Sequence, residues 1–234
     1  MKVFGITGFK KSGKTTLGVR LSQELSKMGL SVGILKHVPG DINLPDTDTS
    51  KYGLHADFVC AVSSIESEMI VKGKRSIEDI LAYFDCDIVL VEGFKKKKTF
   101  PKIVCIRDKA EENDLFDGLQ LATASFKENI ADFNIMDDDH VKKMAAIVIE
   151  RSFKLPDLDC GHCGYESCYE LAKEIVSGNE TIDSCVSLNP LISVKIDGDD
   201  MPLNPFLSDL FKNIILSMVS PLRGSKKGKI QIEI

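Results

Sequence analysis

The chain has 234 residues, 43% of them hydrophobic and 28% charged, the composition of a soluble globular protein with one good-sized core and a smaller appendage. A net charge of −5 argues against nucleic acid as a general partner, and no apolar run approaches the ~20 residues needed to cross a membrane. Met1-Lys2 runs straight into a strand-like segment, so no secretion signal is read and a cytoplasmic location is expected, where seven cysteines are buried thiols or metal ligands rather than disulfides.

Residues 2–7 read as a strand, 14–28 as a helix and 31–37 as a second strand. In the helix, Leu17, Leu21, Leu25 and Met28 recur at three- and four-residue spacing, giving one apolar face, and Gly29 is its stop signal. Between strand and helix, Gly8-Phe9-Lys10-Lys11-Ser12-Gly13-Lys14-Thr15 is G-x-x-x-x-G-K-T in the context that gives it meaning. Backbone N–H groups of such a turn wrap a polyphosphate, and the helix adds its positive dipole end. Lys14 would reach the β- and γ-phosphates and Thr15 would ligate Mg²⁺. Gly8, Lys11, Ser12, Gly13, Lys14, Thr15 and Thr16 are therefore the candidate nucleotide-binding residues of the loop.

Residues 58–62 and 68–71 read as strands, and 76–84 as a helix with Ser76 as N-cap. Residues 87–91 form an uninterrupted apolar strand of the kind buried on both faces of a parallel sheet. Residues 102–106 and 119–123 continue the pattern, 130–136 carry a fainter one, and 137–151 form a helix with an acidic first turn. The alternation predicts an α/β fold, a P-loop NTPase with a mostly parallel sheet covered by helices.

Ligands of such sheets lie at the carboxyl ends of the strands. Glu92 follows the buried strand at that end and suits the Walker-B role, near magnesium or an attacking water; Asp87 lies at the far end. Glu92 and Lys14 form the candidate catalytic pair. The second strand ends in Lys36-His37 and feeds a loop carrying Asp41, Asp46 and Asp48, either a switch-like segment reaching the γ-phosphate or an acidic surface loop. Lys95-Lys96-Lys97-Lys98 overhang the same end, where they clamp a second anion, steer nucleotide inward, or form a solvated loop.

Past Leu155-Pro156-Asp157 the cysteines concentrate: Cys160-x-x-Cys163-x-x-x-x-Cys168, then Cys185 after sixteen intervening residues. Three close thiolates and a distant one can wrap a cubane iron–sulfur cluster; zinc is the alternative, although it favours two paired C-x-x-C knuckles. Cys60, Cys86 and Cys105 fall in or beside strands and read as inert core thiols. After Asn189-Pro190, Ile192, Val194 and Ile196 alternate as in a strand, Asp197-Gly198 reads as a turn and 201–203 as a return strand. Asn204 caps a helix that starts at Pro205 and runs to Val219. Ile230, Ile232 and Ile234 alternate in a last strand, completing a β-β-α-β appendage.

The loop from Gly8 to Leu17, the Val32-Gly33-Ile34-Leu35-Lys36-His37 strand, the Asp48-Thr49 loop and the Ile88 to Lys95 segment together resemble the molybdopterin-guanine dinucleotide biosynthesis protein B family, MobB, over roughly residues 1–150. The resemblance implies a GTP-binding adapter with weak GTPase activity, often a dimer, that assists the guanylyltransferase attaching GMP to molybdopterin. It adds Lys36, His37, Asp48 and Lys95 to the expected site. No Asn-Lys-x-Asp guanine-reading motif is present, so guanine comes from the resemblance. Residues 159–186 are similar to a small 4Fe–4S domain, with Cys160, Cys163, Cys168 and Cys185 as ligands. The expected domains are 1–154, 155–188 and 189–234. The expected cofactors are GTP, Mg²⁺ held near Thr15 and Glu92, and the cluster. The expected partners are molybdopterin, a MobA-like guanylyltransferase and a second copy of the chain. Two other readings use the same residues: a nucleotide-gated metallochaperone or electron-transfer module, and a small-molecule kinase, for which no lid segment is evident.

Overall fold

The computed structural model describes residues 1–40, 42, 46–188, 192, 194–196, 199–201, 203 and 205–222. The expected last strand at 230–234, the Asp197-Gly198 turn, the Asn204 cap and Asp41 lie outside them. In chain order, β1 (Lys2–Gly8) leads through α1 (Lys14–Lys27) to β2 (Val32–Lys36), followed by α2 (Asp48–Gly53) and two short strands, β3 (Phe58–Val62) and β4 (Ser67–Val71). Next come α3 (Ile77–Leu81), β5 (Ile88–Glu92), β6 (Lys102–Cys105), α4 (Glu112–Leu115), β7 (Gln120–Ser125), β8 (Phe133–Asn134) and α5 (Asp138–Arg151). After the cysteine-bearing loop stand α6 (Cys168–Ser177), a small hairpin of β9 (Val194–Ile196) and β10 (Asp199–Met201), and α7 (Pro205–Val219).

Six strands form one parallel sheet in the order β2-β5-β1-β6-β7-β8. The apolar runs of β1 and β5 lie side by side at its centre, with Val3 opposite Val89 and Ile6 opposite Glu92. On one face Phe4, Ile6, Ile88, Leu90 and Ile103 meet the apolar stripes of α1 (Leu17, Leu21, Leu25) and α5 (Val141, Met144, Val148). On the other, Val3, Val89, Val91 and Phe100 pack with Ile77 and Leu81 of α3. Ser76 caps α3 as expected, and the structure adds two further contacts at helix starts. Ser76 and Asp79 form a reciprocal capping box, and the Asp137 carboxylate accepts from the N–H groups of Asp139 and His140.

The structure corrects four expectations. β3 and β4 are not in the main sheet; they pair with each other as a separate antiparallel hairpin, closed by Ser63 and Glu66. Short apolar runs announce a strand without saying which sheet it joins. Cys60, carried on that hairpin, is exposed rather than a core thiol, whereas Cys105 is fully buried and Cys86 partly so. The return strand of the tail is Asp199–Met201 rather than 201–203, and the pattern at 130–136 yields only the two-residue β8. No helix among the described residues is long and apolar enough to cross a membrane.

Leu21 is completely buried between α1 and the sheet, while Val19 on the same helix is 48% exposed. Leu21→Ala is expected to lower stability by about 2–5 kcal/mol in urea denaturation. Val19→Ala should stay within about 0.5 kcal/mol; equal losses would contradict the burial of this face.

Candidate functional site

β1 delivers the chain to Gly8 at the carboxyl edge of the sheet, and the loop turns at once. Gly8 has φ +151°, and a Cβ there would sit 2.4 Å from both the Cys105 carbonyl oxygen and Ser12 Oγ. Only glycine fits this turn. Gly13 then caps α1 in the left-handed conformation, and no side chain caps the helix, so its first N–H groups are left to an anion. Lys14 Nζ donates to the Phe9 carbonyl at 2.6 Å, arching its ammonium back over the loop. The Ser12 hydroxyl is buried and has no partner among the described residues. Burial pushes the neighbouring Cys105 thiol up to about 12, which keeps it inert at neutral pH.

Behind the loop, three strand ends converge. Glu92 closes β5 between Ile6 of β1 and Lys36 of β2. Its carboxylate accepts from the Thr15 hydroxyl, with distances of 3.0 and 3.1 Å to the two oxygens. Lys36 Nζ lies 3.2 Å from Glu92 Oε1 and 3.3 Å from Thr15 Oγ1. A hydroxyl and a carboxylate that already share one cation are the oxygen donors Mg²⁺ prefers. His37 donates its backbone N–H to the Glu92 carbonyl, and its ring packs edge-on against Phe94 at 5.0 Å, bracing the exit from β5.

The lysine run divides in two. Lys97 pairs with Glu78 and Asp157, and Lys98 pairs with Asp117, so both hold loops together. Lys95 instead lies over the Phe9 ring at 4.1 Å, reaching the phosphate loop. Lys102 shares Asp117 with Lys98 although its own side chain is only 2% exposed. Burial opposes ionisation of Asp117, but hydrogen bonds from Lys102 and Lys98 outweigh it and hold the carboxyl below its usual range.

All of this opens on a cavity of about 1350 Å³. Its walls include Gly8, Lys11, Lys14, Thr15, Lys36, His37, Glu92 and Lys95, so eight expected site residues share one space. Ser12 and Gly13 belong to the loop itself without facing the cavity, and Thr16 is on α1 away from it. Asp48 stands at the exposed start of α2, 3.6 Å from Lys51, outside the cavity walls. The sequence reading missed Phe9, Tyr169, Asp157, Asp159 and Ser167, which also line it. The last four come from the cysteine segment, and no local motif announces that this segment folds back over the phosphate loop.

That fold-back is built from named contacts. Leu155 donates its N–H to the Thr99 carbonyl at 2.8 Å, and Tyr169 donates its hydroxyl to the Asp117 carbonyl at 2.5 Å. Asp159 accepts from the Cys168 N–H at 2.6 Å, and the Ser167 hydroxyl caps α6. Cys168 and Cys185 are buried with Leu119, Phe153, Leu155 and Leu171, and Cys163 packs against them. Burial raises the Cys185 thiol, and the nearby Cys168 and Cys163 add to the effect. Cys160 is at the rim, 3.5 Å from the Ser187 hydroxyl. Among the described residues, no three His, Cys, Asp or Glu side chains stand in metal-binding geometry. In donor chemistry the set suits an iron–sulfur group, because three soft thiols belong to one apolar cluster and the fourth, Cys160, is only partly buried.

Residues 3–125 match the family described as "Molybdopterin guanine dinucleotide synthesis protein B", more than half of the chain. The chain belongs to the MobB family. Residues 155–187 match a second family, described as "Putative Fe-S cluster", which supports an iron–sulfur cofactor in this MobB-family member. A Methanocaldococcus jannaschii protein named "Putative molybdopterin-guanine dinucleotide biosynthesis adapter protein" is 32% identical over 245 residues, covering 100% of this chain and 97% of its own. Bacillus subtilis MobB, a solved structure, superposes with TM-score 0.53 at 22% identity over 63% of this chain and 98% of its own. A MobB homologue from Bacillus stearothermophilus gives TM-score 0.50 at 23% identity over 64% and 100%. At those identities the structural matches speak for the fold alone, a P-loop architecture with a parallel sheet.

Asp117→Asn leaves the Lys102 ammonium buried without its counter-charge and is expected to cost about 3–5 kcal/mol at pH 7. The Asp117 carboxyl is depressed in the folded state, so its contribution is present above the unfolded carboxyl value of about 3.9 and fades as pH falls through the folded one. The gap between wild type and Asp117→Asn in urea midpoints should therefore narrow on acidification below about pH 4. A gap independent of pH would contradict the assignment.

Proposed function

We propose that this MobB-family chain is a GTP-binding adapter with weak GTPase activity in molybdopterin guanine dinucleotide biosynthesis, carrying a 4Fe–4S cluster. The observation that carries it is the cavity joining the phosphate loop to Thr15, Glu92 and Lys36, at the edge of the sheet where P-loop proteins hold nucleotide. Loop N–H groups and Lys14 would hold the phosphates. Thr15 and Glu92 would hold Mg²⁺, and Glu92 would orient water for slow hydrolysis. Guanine, rather than adenine, is supported by the family alone. The naming of the Methanocaldococcus relative as an adapter supports the pathway and, with it, a MobA-like guanylyltransferase and molybdopterin as partners. The reading includes a homodimer, which the family resemblance supports, and a cytoplasmic location.

Cys160, Cys163, Cys168 and Cys185 would ligate the cluster, whose chemistry when bound is one-electron transfer. The same segment supplies Asp157, Asp159, Ser167 and Tyr169 to the nucleotide cavity, which favours a second reading, a nucleotide-gated electron-transfer or metal-delivery module. Nucleotide-dependent cluster transfer to an apo-protein would support that reading; adapter activity without transfer would dispose of it.

Lys14→Ala should abolish GTP binding in isothermal titration while the circular dichroism spectrum stays that of wild type; unchanged affinity would overturn the phosphate assignment. Anaerobically purified protein should be brown and carry about four irons per chain. A colourless protein with one zinc would overturn the cluster.

A further inference from the structure

Beneath the lysine loop lies a second cavity, of about 140 Å³, that the nucleotide chemistry leaves unused. Its walls are Thr7, Lys95, Lys98, Lys102 and residues 114–117. The space is several times the share of one water molecule in the liquid, about 30 Å³. Three lysines line it against two aspartates, Asp114 and Asp117. Asp117 is fully engaged: Oδ2 takes Lys98 at 2.7 Å and Lys102 at 2.5 Å, and Oδ1 takes the Leu119 N–H at 3.2 Å.

The lining therefore carries one more lysine than aspartate; Thr7 and Lys102 on it are buried, whereas Lys95 and Asp114 are exposed. Thr7 supplies an independent observation. Its residue is 2% exposed and its hydroxyl has no hydrogen-bond partner among the described residues, although it lines the cavity. Native proteins rarely leave such a group orphaned, and a hydroxyl beside ammonium groups is suited to donate to an anion. Desolvation and the Lys14 ammonium push the Lys95 pKa below its ordinary value against the opposing carboxylates of Glu111 and Asp114, and a bound anion would favour its charged form. Lys95 and Lys98 border the large cavity as well, so the chamber opens toward the phosphate loop.

We propose that Thr7, Lys95, Lys98 and Lys102 form a second oxyanion site, which takes a tetrahedral dianion of the phosphate type. The dianion is either free or the terminal phosphate monoester of a ligand reaching in from the nucleotide cavity. The site deepens the reading of that cavity as a nucleotide site, since a second anion there would lie next to the bound triphosphate.

The full-length protein is first saturated with Mg²⁺ and a non-hydrolysable GTP analogue, and inorganic phosphate or phenyl phosphate is then titrated in by calorimetry. One further anion is expected to bind. Thr7→Val, which keeps shape and removes only the hydroxyl, should weaken it at least tenfold without changing affinity for the analogue. Lys95→Met should weaken it as well. Binding of phosphate with equal or greater affinity than phenyl phosphate assigns the site to the free anion, and tighter binding of phenyl phosphate assigns it to a monoester. If the analogue itself does not bind, the nucleotide reading fails, and the chamber is judged by phosphate binding that survives Lys14→Ala but not Thr7→Val. No second anion in the wild type, or binding undiminished by Thr7→Val, overturns the proposal.

Discussion

The contact between Thr15 and Glu92 is the constraint around which the site is organised. Glu92 is 9% exposed, and a carboxylate so placed needs partners. It takes them from the first turn of α1 through Thr15 and from the end of β2 through Lys36. One side chain thus fixes where α1 begins relative to the sheet, and with it the course of the phosphate loop between Gly8 and Gly13. The parallel register that sets Glu92 opposite both Ile6 and Lys36 makes this possible. Burial of the apolar runs in β1 and β5 holds that register, since a one-residue slip would reverse the faces of every side chain.

A second set of contacts gives this chain its own character. The cysteine segment packs Cys168, Leu171 and Cys185 against Leu119, Phe153 and Leu155, so it shares a hydrophobic cluster with the sheet-bearing part. Lys97 to Asp157 and Tyr169 to the Asp117 carbonyl fasten it against the cavity of the phosphate loop. The cavity of the phosphate loop and the cysteine segment therefore share a wall. Asp159 is both a lining residue of the cavity and the acceptor for the Cys168 N–H. Physical continuity of this kind is what a coupling between the two sites would require.

Much of this was legible in the sequence where chemistry is local. The phosphate loop, the Ser76 cap, the acidic first turn of α5, the α1 stripe and the buried β5 strand are all written in consecutive residues, and each lies within a residue or two of its expected bounds. Glu92 followed from the rule that ligands gather at strand carboxyl ends. What could not be read depends on residues far apart in the chain. The β3–β4 hairpin looks like core sheet because its composition is that of a strand, and only its pairing sets it apart. The lysine run gave no hint that Lys97 and Lys98 are tied down while Lys95 reaches Phe9. Tyr169 and Asp159 entered the site through tertiary packing, some 150 residues from the loop they face.

The central claim is that Thr15 and Glu92 form a divalent-cation site completed by nucleotide. Electron paramagnetic resonance of Mn²⁺, standing in for Mg²⁺, tests it most directly. The account predicts that the protein alone binds Mn²⁺ weakly, that GTP brings about one tightly held ion per chain, and that Glu92→Gln abolishes the gain. GTP bound with full affinity and no retained Mn²⁺, or an ion signal indifferent to Glu92→Gln, would contradict it.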